Sequence, residues 1–155
     1  MRQPQFPLIA IGNNGVPNII QSASVLSKAS VRELTTAYFD TVDLFDNTSV
    51  KWKFRQVSAN LKISWWTKSL ANTIYNPTLD VDIVWTFNGA YHLSELKKKL
   101  TNCVDKDDDI ITQFEEADVI KAAIGNAMQF DDILIVLNKY VFDVYEEQIW
   151  KDQEA

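Results

Sequence analysis

The chain contains very little of what catalytic and metal centres are built from. Its 155 residues include one cysteine, Cys103, and one histidine, His92. One cysteine cannot form an internal disulfide, which favours a reducing compartment. One histidine excludes a multi-histidine metal site and leaves a single candidate base for a hydrolytic triad. We therefore predict no catalytic residues, no enzymatic activity, no metal and no other cofactor.

The positions of Cys103 and His92 in the sequence also disfavour a catalytic role. Cys103 falls on the apolar stripe of a predicted helix, which is typical of an unreactive core thiol. His92 stands just before Leu93 and Ser94, at a predicted helix start, which favours an exposed neighbour of a helix cap. A cysteine nucleophile needs an activating base, and His92 is the one histidine that the sequence offers.

Long apolar runs are also missing. The apolar stretch at residues 6–11 is too short for a signal-peptide core and is interrupted by Pro7. A membrane-spanning helix needs about 18 or more apolar residues in a row, and no run in the chain approaches that length. Walker, Gly-x-Gly-x-x-Gly and Cys-x-x-Cys motifs are absent from the sequence. We expect a soluble, cytoplasmic protein that does not contact membranes.

What the chain does have is an uneven distribution of charge. Residues 1–104 carry 11 Lys/Arg and 7 Asp/Glu, whereas residues 105–155 carry 4 Lys/Arg and 14 Asp/Glu. The formal net charge of -6 therefore combines a basic first part with a strongly acidic last third. An acidic region repels the phosphates of nucleic acids and attracts basic proteins. The alternative is that these acids only keep exposed helix faces soluble.

The first 60 residues are patterned mainly as strands. The wholly apolar residues 8–11 predict a buried strand, followed by an Asn-Gly turn and a short strand at 16–20. Residues 22–27 predict one or two helical turns capped by Ser22. Residues 35–45 are rich in β-branched and aromatic side chains and predict a further strand.

A turn at residues 46–49 leads into the next predicted strand, at residues 50–57. There Val50, Trp52 and Phe54 alternate with basic residues, which is typical of a strand with one buried and one wet face. Residues 79–87, LDVDIVWTF, alternate more regularly than any other stretch of the chain. Their apolar set is expected to face the core: Leu79, Val81, Ile83, Trp85 and Phe87.

After residue 92 the apolar period becomes helical. A first stripe comprises Leu93, Leu96, Leu100, Cys103 and Val104. A second, with Gly125-Asn126 at its carboxyl end, comprises Phe114, Ala117, Ile120, Ala123, Ile124 and Ala127. A third helix is predicted from about Phe130 to Val141, with Asp131 and Asp132 in its first turn, where the helix dipole favours acids.

The segment between the first two helices holds the densest acidic cluster. Asp105, Asp107, Asp109 and Glu116 match positions 1, 3, 5 and 12 of an EF-hand loop, which would group oxygen ligands around a calcium ion. Ile110 stands at position 6, where the sharp turn of that loop needs glycine. We therefore favour an acidic linker, with calcium binding left as the alternative.

Basic and aromatic residues are interleaved at residues 51–68, a composition also found on surfaces that bind nucleic acid. Because Trp52 and Phe54 alternate with the basic residues, they are expected to face the opposite side of the strand and pack in the core. We therefore predict no nucleic-acid partner. In the adjacent pair Trp65-Trp66 the two rings face opposite ways, so Trp66 is a candidate interface residue, with core packing as the alternative.

The order of elements resembles the small immunity proteins that accompany toxins of contact-dependent growth inhibition and other bacterial polymorphic toxin systems. The likeness lies in PLIAIGNNGVPNII, in AYFDTVDLFDNTSVKWKFRQV with Asp46 and Trp52, and in SWWTKSLANTIYNPTLDVDIVW before a helical end. It covers about residues 7–142. It implies a non-catalytic cytoplasmic inhibitor of one cognate toxin, and an acidic surface suits a basic toxin domain. No individual residue's role transfers with it.

We predict an α+β fold in which an antiparallel sheet packs against C-terminal helices. Residues 1–155 form a single domain, with residues 1–6 and 151–155 as loose tails. The predicted partner is a basic protein toxin, bound through Asp105, Asp107, Asp108, Asp109, Glu115, Glu116, Asp118 and Trp66. Two alternatives remain: a structural or regulatory interaction module, and a small-molecule binder using Asp80 and Asp82, which share one face of a strand.

Overall fold

The seven described strands, with two short helices among them, come before the three C-terminal helices along the chain. The computed structural model describes residues 3–36, 41–57, 76, 78–107 and 109–142. The strands are β1 (Leu8–Ile11), β2 (Pro17–Ile20), β3 (Lys28–Ser30), β4 (Asp43–Phe45), β5 (Val50–Val57), β6 (Thr78–Asp80) and β7 (Asp82–Ala90). The helices are α1 (Ala23–Leu26), α2 (Val31–Thr36), α3 (Leu93–Asp105), α4 (Ala117–Asn126) and α5 (Phe130–Val136). A 3₁₀ turn (Ile111–Gln113) precedes α4, and a π-helical segment (Leu137–Val141) continues α5.

The main sheet has five strands in the order β2–β1–β4–β5–β7, and every neighbouring pair is antiparallel. A separate two-stranded sheet joins β3 to β6. The predicted α+β class, with an antiparallel sheet and C-terminal helices, is confirmed. The hairpin predicted at the N-terminus is present as β1 and β2, and Gly15 takes a positive φ of 73° in its turn, a conformation that favours glycine.

Both faces of the main sheet are apolar, so the molecule has two cores. One face packs against α3, α4, α5 and the π-helical segment through a buried cluster that includes Ile9, Phe45, Tyr91, Leu96, Ile120 and Ile133. The other face carries a second cluster that includes Leu8, Leu44, Trp52 and Phe54, covered in part by Leu26 of α1. Residues 3–6, assigned to a loose tail from the sequence, include Phe6, whose ring lies 6.0 Å from that of Trp85.

The strand predicted at residues 35–45 is wrong in its first part. The chain is helical through α2 to Thr36, and β4 spans only Asp43–Phe45, while residues 37–40 lie outside the described part. The Glu33 carboxylate accepts hydrogen bonds from the Ser30 N–H and hydroxyl at 2.7 and 2.8 Å, and the Ser30 hydroxyl accepts one from the Glu33 N–H. This reciprocal capping box starts a helix despite the strand propensity of the residues that follow.

The alternating stretch at residues 79–87 is two strands rather than one. β6 ends at Asp80 and pairs with β3, and β7 begins at Asp82 and joins the main sheet. Between them the N–H of the buried Val81 donates to the Ser27 carbonyl at 2.8 Å. Phe87 lies on the predicted face, because its ring contacts that of the buried Trp52 edge-on at 6.2 Å. It is nevertheless 56% exposed at the edge of the sheet, so the expected burial is wrong.

The three predicted C-terminal helices are present, with adjusted ends. The buried stripe of α3 contains Leu96, Leu100, Cys103 and Val104, as predicted. Phe114 precedes α4 and does not belong to its buried stripe. Ser22 occupies the cap position of α1, but its side chain makes no capping hydrogen bond there. The predictions for residues 58–75 and 143–155 lie outside the described residues.

One buried carboxylate organises the β4–β5 turn. Asp46 is 1% exposed. Its Oδ1 accepts hydrogen bonds from the Thr48 N–H, the Thr48 hydroxyl and the Val50 N–H, and its Oδ2 accepts one of 2.8 Å from the Trp52 indole N–H. The Tyr91 hydroxyl donates to the Asp46 carbonyl at 2.6 Å. The turn, the second core and the start of α3 are thus linked through a single residue.

We expect the substitution Asp46→Ala to destabilise the protein by about 3 kcal/mol or more. It leaves buried N–H donors and the Trp52 indole without an acceptor, and each unsatisfied buried group costs about 1–3 kcal/mol. Urea unfolding monitored by tryptophan fluorescence measures the difference. Asn47→Ala, at the exposed neighbouring position, is the control and is expected to stay within about 0.5 kcal/mol of the unmodified protein.

A second set of polar contacts fastens the sheet to α3. The Asp43 carboxylate lies 3.0 Å from Lys53 Nζ of β5 and 2.7 Å from Lys99 Nζ of α3. Lys51 Nζ of β5 likewise lies 2.9 Å from Glu95 Oε1 of α3. Burial raises the pKa of the Asp43 carboxyl, but Lys99 and Lys53 together outweigh this effect and hold the pKa below its ordinary value.

The Asp43 contribution to stability is therefore expected to depend on pH. A carboxyl whose pKa is lowered by folding stabilises the native state above its ordinary pKa, and this stabilisation is lost as the pH falls through the lowered value. Asp43→Asn should reduce the midpoint of thermal unfolding at about pH 7, and the difference should shrink below about pH 4. A pH-independent difference would contradict this assignment. Asp80→Asn, at an exposed position, is the control.

Candidate protein-binding surface

The acidic segment, residues 105–118, connects α3 to α4 at the helical side of the molecule. It begins with the last residue of α3, passes through the 3₁₀ turn and ends in the first turn of α4. Asp118 lies in that first turn and Glu116 occupies the cap position before it. Negative charge is favourable at both positions because the amino end of a helix carries partial positive charge.

Asp107 folds the acidic segment rather than facing a partner. Its carboxylate oxygens accept hydrogen bonds from the N–H groups of Ile110, Ile111 and Thr112 and from the Thr112 hydroxyl, at distances between 2.8 and 3.1 Å. Desolvation is the largest single effect and raises the pKa of Asp107, but these hydrogen bonds together outweigh it and hold the pKa below its ordinary value. The carboxylate thereby caps the 3₁₀ turn and places Ile111, which is 1% exposed, in the first core.

The calcium alternative requires four side chains of the acidic segment to converge on one ion. Among the described residues, no group of three or more histidine, cysteine, aspartate or glutamate side chains is placed to hold a metal. Asp107 would be the central ligand, and both of its oxygens already accept hydrogen bonds from the protein.

The other described carboxylates of the acidic segment are exposed, except for that of Glu115. Lys121 Nζ lies 3.1 Å from Asp105 and 3.2 Å from Asp118, whose side chains are 52% and 95% exposed. Ion pairs this exposed contribute little to stability, so both carboxylates are accessible to a partner. Asp109 and Glu116 are exposed and Glu115 is half-buried. Two predicted contact residues, Asp108 and Trp66, lie outside the described residues.

Exposed apolar side chains accompany these acids, and the sequence pattern did not single them out. Ile110 is 54% exposed, Phe114 48% and Val119 42%. Phe114 fits the helical spacing of α4 and was therefore expected in the core, but α4 starts three residues later. Exposed apolar residues rimmed by charged groups are typical of protein–protein interfaces.

The other candidate residues are dispersed over the molecule. Trp52 and Phe54 are 2% and 3% exposed, so neither ring can stack on a nucleobase. Asp80 and Asp82 are exposed and belong to different sheets. Neither lines the cavity of about 420 Å³ that lies beside the second core, between the β1–β2 hairpin, α1 and β5.

The lining of that cavity is more apolar than polar, but it also includes the polar side chains of Asn14, Asn18, Lys28, Glu33 and Gln56. One of these polar side chains is Gln56, whose Nε2–H donates to the Leu26 carbonyl at 2.7 Å. The Gln56 Oε1 atom has no hydrogen-bond partner and is itself inaccessible to solvent. A ligand in the cavity therefore reaches this acceptor only after the side chain has moved.

Comparisons of the chain with protein-family profiles, with curated proteins and with solved structures found no match. In the described residues no helix combines the length and apolarity needed to cross a bilayer. The candidate function is therefore inferred from the exposed chemistry of the acidic segment and from the sequence.

We expect Asp107→Asn to loosen the 3₁₀ turn, because the neutral amide accepts backbone hydrogen bonds more weakly than a carboxylate. The loss should be about 1 kcal/mol, which is typical of a capping side chain. Faster hydrogen exchange at the amides of Ile111 and Thr112 measures it. Asp109→Asn removes the same charge from the same segment without removing the cap, and equal exchange in the two variants would contradict the assignment.

Proposed function

We propose that this protein is a non-catalytic immunity protein that binds and neutralises a basic toxin domain through the acidic segment. The observation that supports this best is the combination of exposed carboxylates and exposed apolar side chains within 14 consecutive residues. Asp105, Asp109 and Asp118 supply the charge, and Ile110 and Phe114 supply the apolar contact area.

The two kinds of side chain have different roles in such a complex. Apolar side chains that become buried at the centre of an interface supply most of its affinity. Charges at its rim mainly accelerate association and select partners of opposite sign. The excess of acids in residues 105–155, 14 against 4 basic residues, extends this attraction beyond the contact itself.

Two further observations support a role in binding rather than in catalysis. Burial raises the pKa of the Cys103 thiol, with a smaller opposing effect from Lys106 and Lys99, and a protonated buried thiol is a poor nucleophile. His92 is exposed at the start of α3, and its side chain makes no capping hydrogen bond there. These two residues are therefore not arranged as a nucleophile and its base.

Neutralising the exposed acids should weaken the complex in a salt-dependent manner. We expect Asp109→Asn combined with Asp118→Asn to lower affinity for the toxin at least tenfold at low salt and less at high salt, because screening already weakens these attractions. Calorimetric titration with the toxin domain encoded beside this protein measures affinity. In parallel, the variant should protect cells that express the toxin less well than the unmodified protein does.

The control removes the same charge elsewhere. Asp80→Asn combined with Asp82→Asn removes two exposed carboxylates from β6 and β7. This control should leave the affinity for the toxin and its salt dependence unchanged. Phe114→Ala separates the apolar contribution and should weaken binding equally at low and high salt. Affinity capture from a lysate of the host supplies a further test. If the stoichiometric partner that it recovers is harmless when expressed alone, the immunity proposal fails and a regulatory interaction module becomes the better interpretation.

A further inference from the structure

The chain contains two Asn-Gly pairs, and the fold holds them differently. Asn14-Gly15 lies in the loop of residues 12–16 that joins β1 to β2, and Asn88-Gly89 lies within β7. Asparagine is a chemically labile residue. It loses its amide most readily before glycine, because no Cβ on the following residue hinders attack by the backbone nitrogen of that residue on the side-chain carbonyl carbon. The backbone around each pair therefore decides which asparagine reacts.

Asn14 stands at the exposed tip of the β1–β2 loop. It is a central residue of a turn in which the Gly15 N–H donates to the Gly12 carbonyl at 3.1 Å. Apart from chain neighbours, no atom of the described residues lies within 4 Å of the position that a Cβ on Gly15 would occupy. A hydrogen bond within one exposed turn opens at low cost, and this opening exposes the Gly15 N–H to deprotonation by solvent.

The Asn14 side chain is also oriented for this reaction. The Val16 N–H donates to Asn14 Oδ1 at 3.4 Å, which turns the side-chain amide toward the backbone that follows it. The Gly15 nitrogen belongs to that stretch of backbone, between the two ends of the hydrogen bond. The same N–H stabilises the negative charge that develops on Oδ1 as a nucleophile attacks Cγ.

The backbone around Asn88 is fixed on both sides. Asn88 and Gly89 form the irregular part of β7, but Phe87 before them and Ala90 after them are both in register with residues of β5. Attack by the glycine nitrogen requires the asparagine backbone to rotate, and here that rotation disrupts the pairing of the sheet. Exposure does not distinguish the two sites, because the side chains of Asn14 and Asn88 are both exposed.

We propose that Asn14 is a site of spontaneous deamidation and that the fold directs this modification to Asn14 rather than to Asn88. The deprotonated Gly15 nitrogen attacks Cγ of Asn14, the bond between Cγ and Nδ2 breaks, and ammonia leaves with a proton taken from water. The product is a five-membered succinimide. Water that adds to its Cγ carbonyl yields aspartate, and water that adds to its backbone carbonyl yields isoaspartate. Overall, one water is consumed and one ammonia is released.

The modification alters the wall of the cavity beside the second core, which Asn14 helps to line together with Lys28. Aspartate places a carboxylate where a neutral amide stood and adds one negative charge to the formal net charge of -6. Isoaspartate also lengthens the backbone of the β1–β2 loop by one methylene group. The site lies outside the acidic segment, so this inference does not rest on the proposed immunity function.

Peptide mapping by mass spectrometry tests the proposal during incubation of the folded, full-length chain at mildly alkaline pH. We expect Asn14 to become a mixture of aspartate and isoaspartate at least about tenfold faster than Asn88 reacts, because reaction at Asn88 must first open the sheet. Concentrated urea should remove this difference, because both residues precede glycine. Asn13, whose successor carries a side chain, is the reference within the same turn and should react more slowly than Asn14.

Two matched variants test the part played by the glycine. Gly15→Ala should slow the conversion of Asn14, because the new Cβ hinders the attacking nitrogen. Gly89→Ala makes the same change at the other positive-φ glycine of an Asn-Gly pair, at 100° against 73° for Gly15, and should leave the Asn14 rate unchanged. Circular dichroism establishes that each variant is folded, and the comparison of Asn14 with Asn88 in the unmodified chain requires neither variant.

Four results would overturn the proposal. The first is a folded chain in which Asn88 reacts as fast as Asn14 or faster. The second is a product at position 14 that contains aspartate without isoaspartate, which excludes the succinimide. The third is a preference for Asn14 over Asn88 that persists in urea, since the fold would then not be its cause. The fourth is a folded Gly15→Ala variant in which Asn14 reacts at the original rate.

Discussion

The buried Asp46 carboxylate is the interaction on which the rest of the structure depends. A buried carboxylate is tolerated only when its oxygens are hydrogen-bonded, and Asp46 meets this requirement by gathering donors from Thr48, Val50 and Trp52. These contacts set the turn between β4 and β5 and hold the Trp52 indole in the second core. Through its carbonyl, Asp46 also accepts the Tyr91 hydroxyl, two residues before α3 begins. The position of the helical layer thus follows from a turn in the sheet.

The two layers are held together differently in different regions. Where β1 and β4 face the helices, the contact is apolar and includes Ile9 and Phe45. Elsewhere the contact between the layers is ionic: Lys51 of β5 pairs with Glu95 of α3, and Asp43 of β4 pairs with Lys99 of α3. Basic side chains of the sheet are therefore partly neutralised by α3 and β4. Among the described acids beyond residue 104, Asp105 and Asp118 share the single partner Lys121, and Asp109 and Glu116 are exposed.

Residue periodicity was sufficient to predict most elements but not their boundaries. The stripe of α3 and the alternation of β5 follow directly from side-chain geometry, and both are confirmed. The pattern of Ser30 followed by Glu33 is a capping-box signature that can be recognised in the sequence, and it indicates a helix start at α2. Strand propensity instead predicted that a strand begins at residue 35. The division at Val81 was not readable, because β6 and β7 continue one alternating pattern while pairing with different strands.

The sequence by itself determined the fold class, the location of the three C-terminal helices and the concentration of acids after residue 104, because these depend on local periodicity and composition. Only the tertiary structure decided which of those acids face outward. Asp107 is used to cap a turn, whereas Asp118 is 95% exposed, although both belong to the same acidic cluster. It also decided that Phe114 and Phe87 are exposed, because the burial of an apolar side chain depends on which elements pack over it rather than on its own spacing.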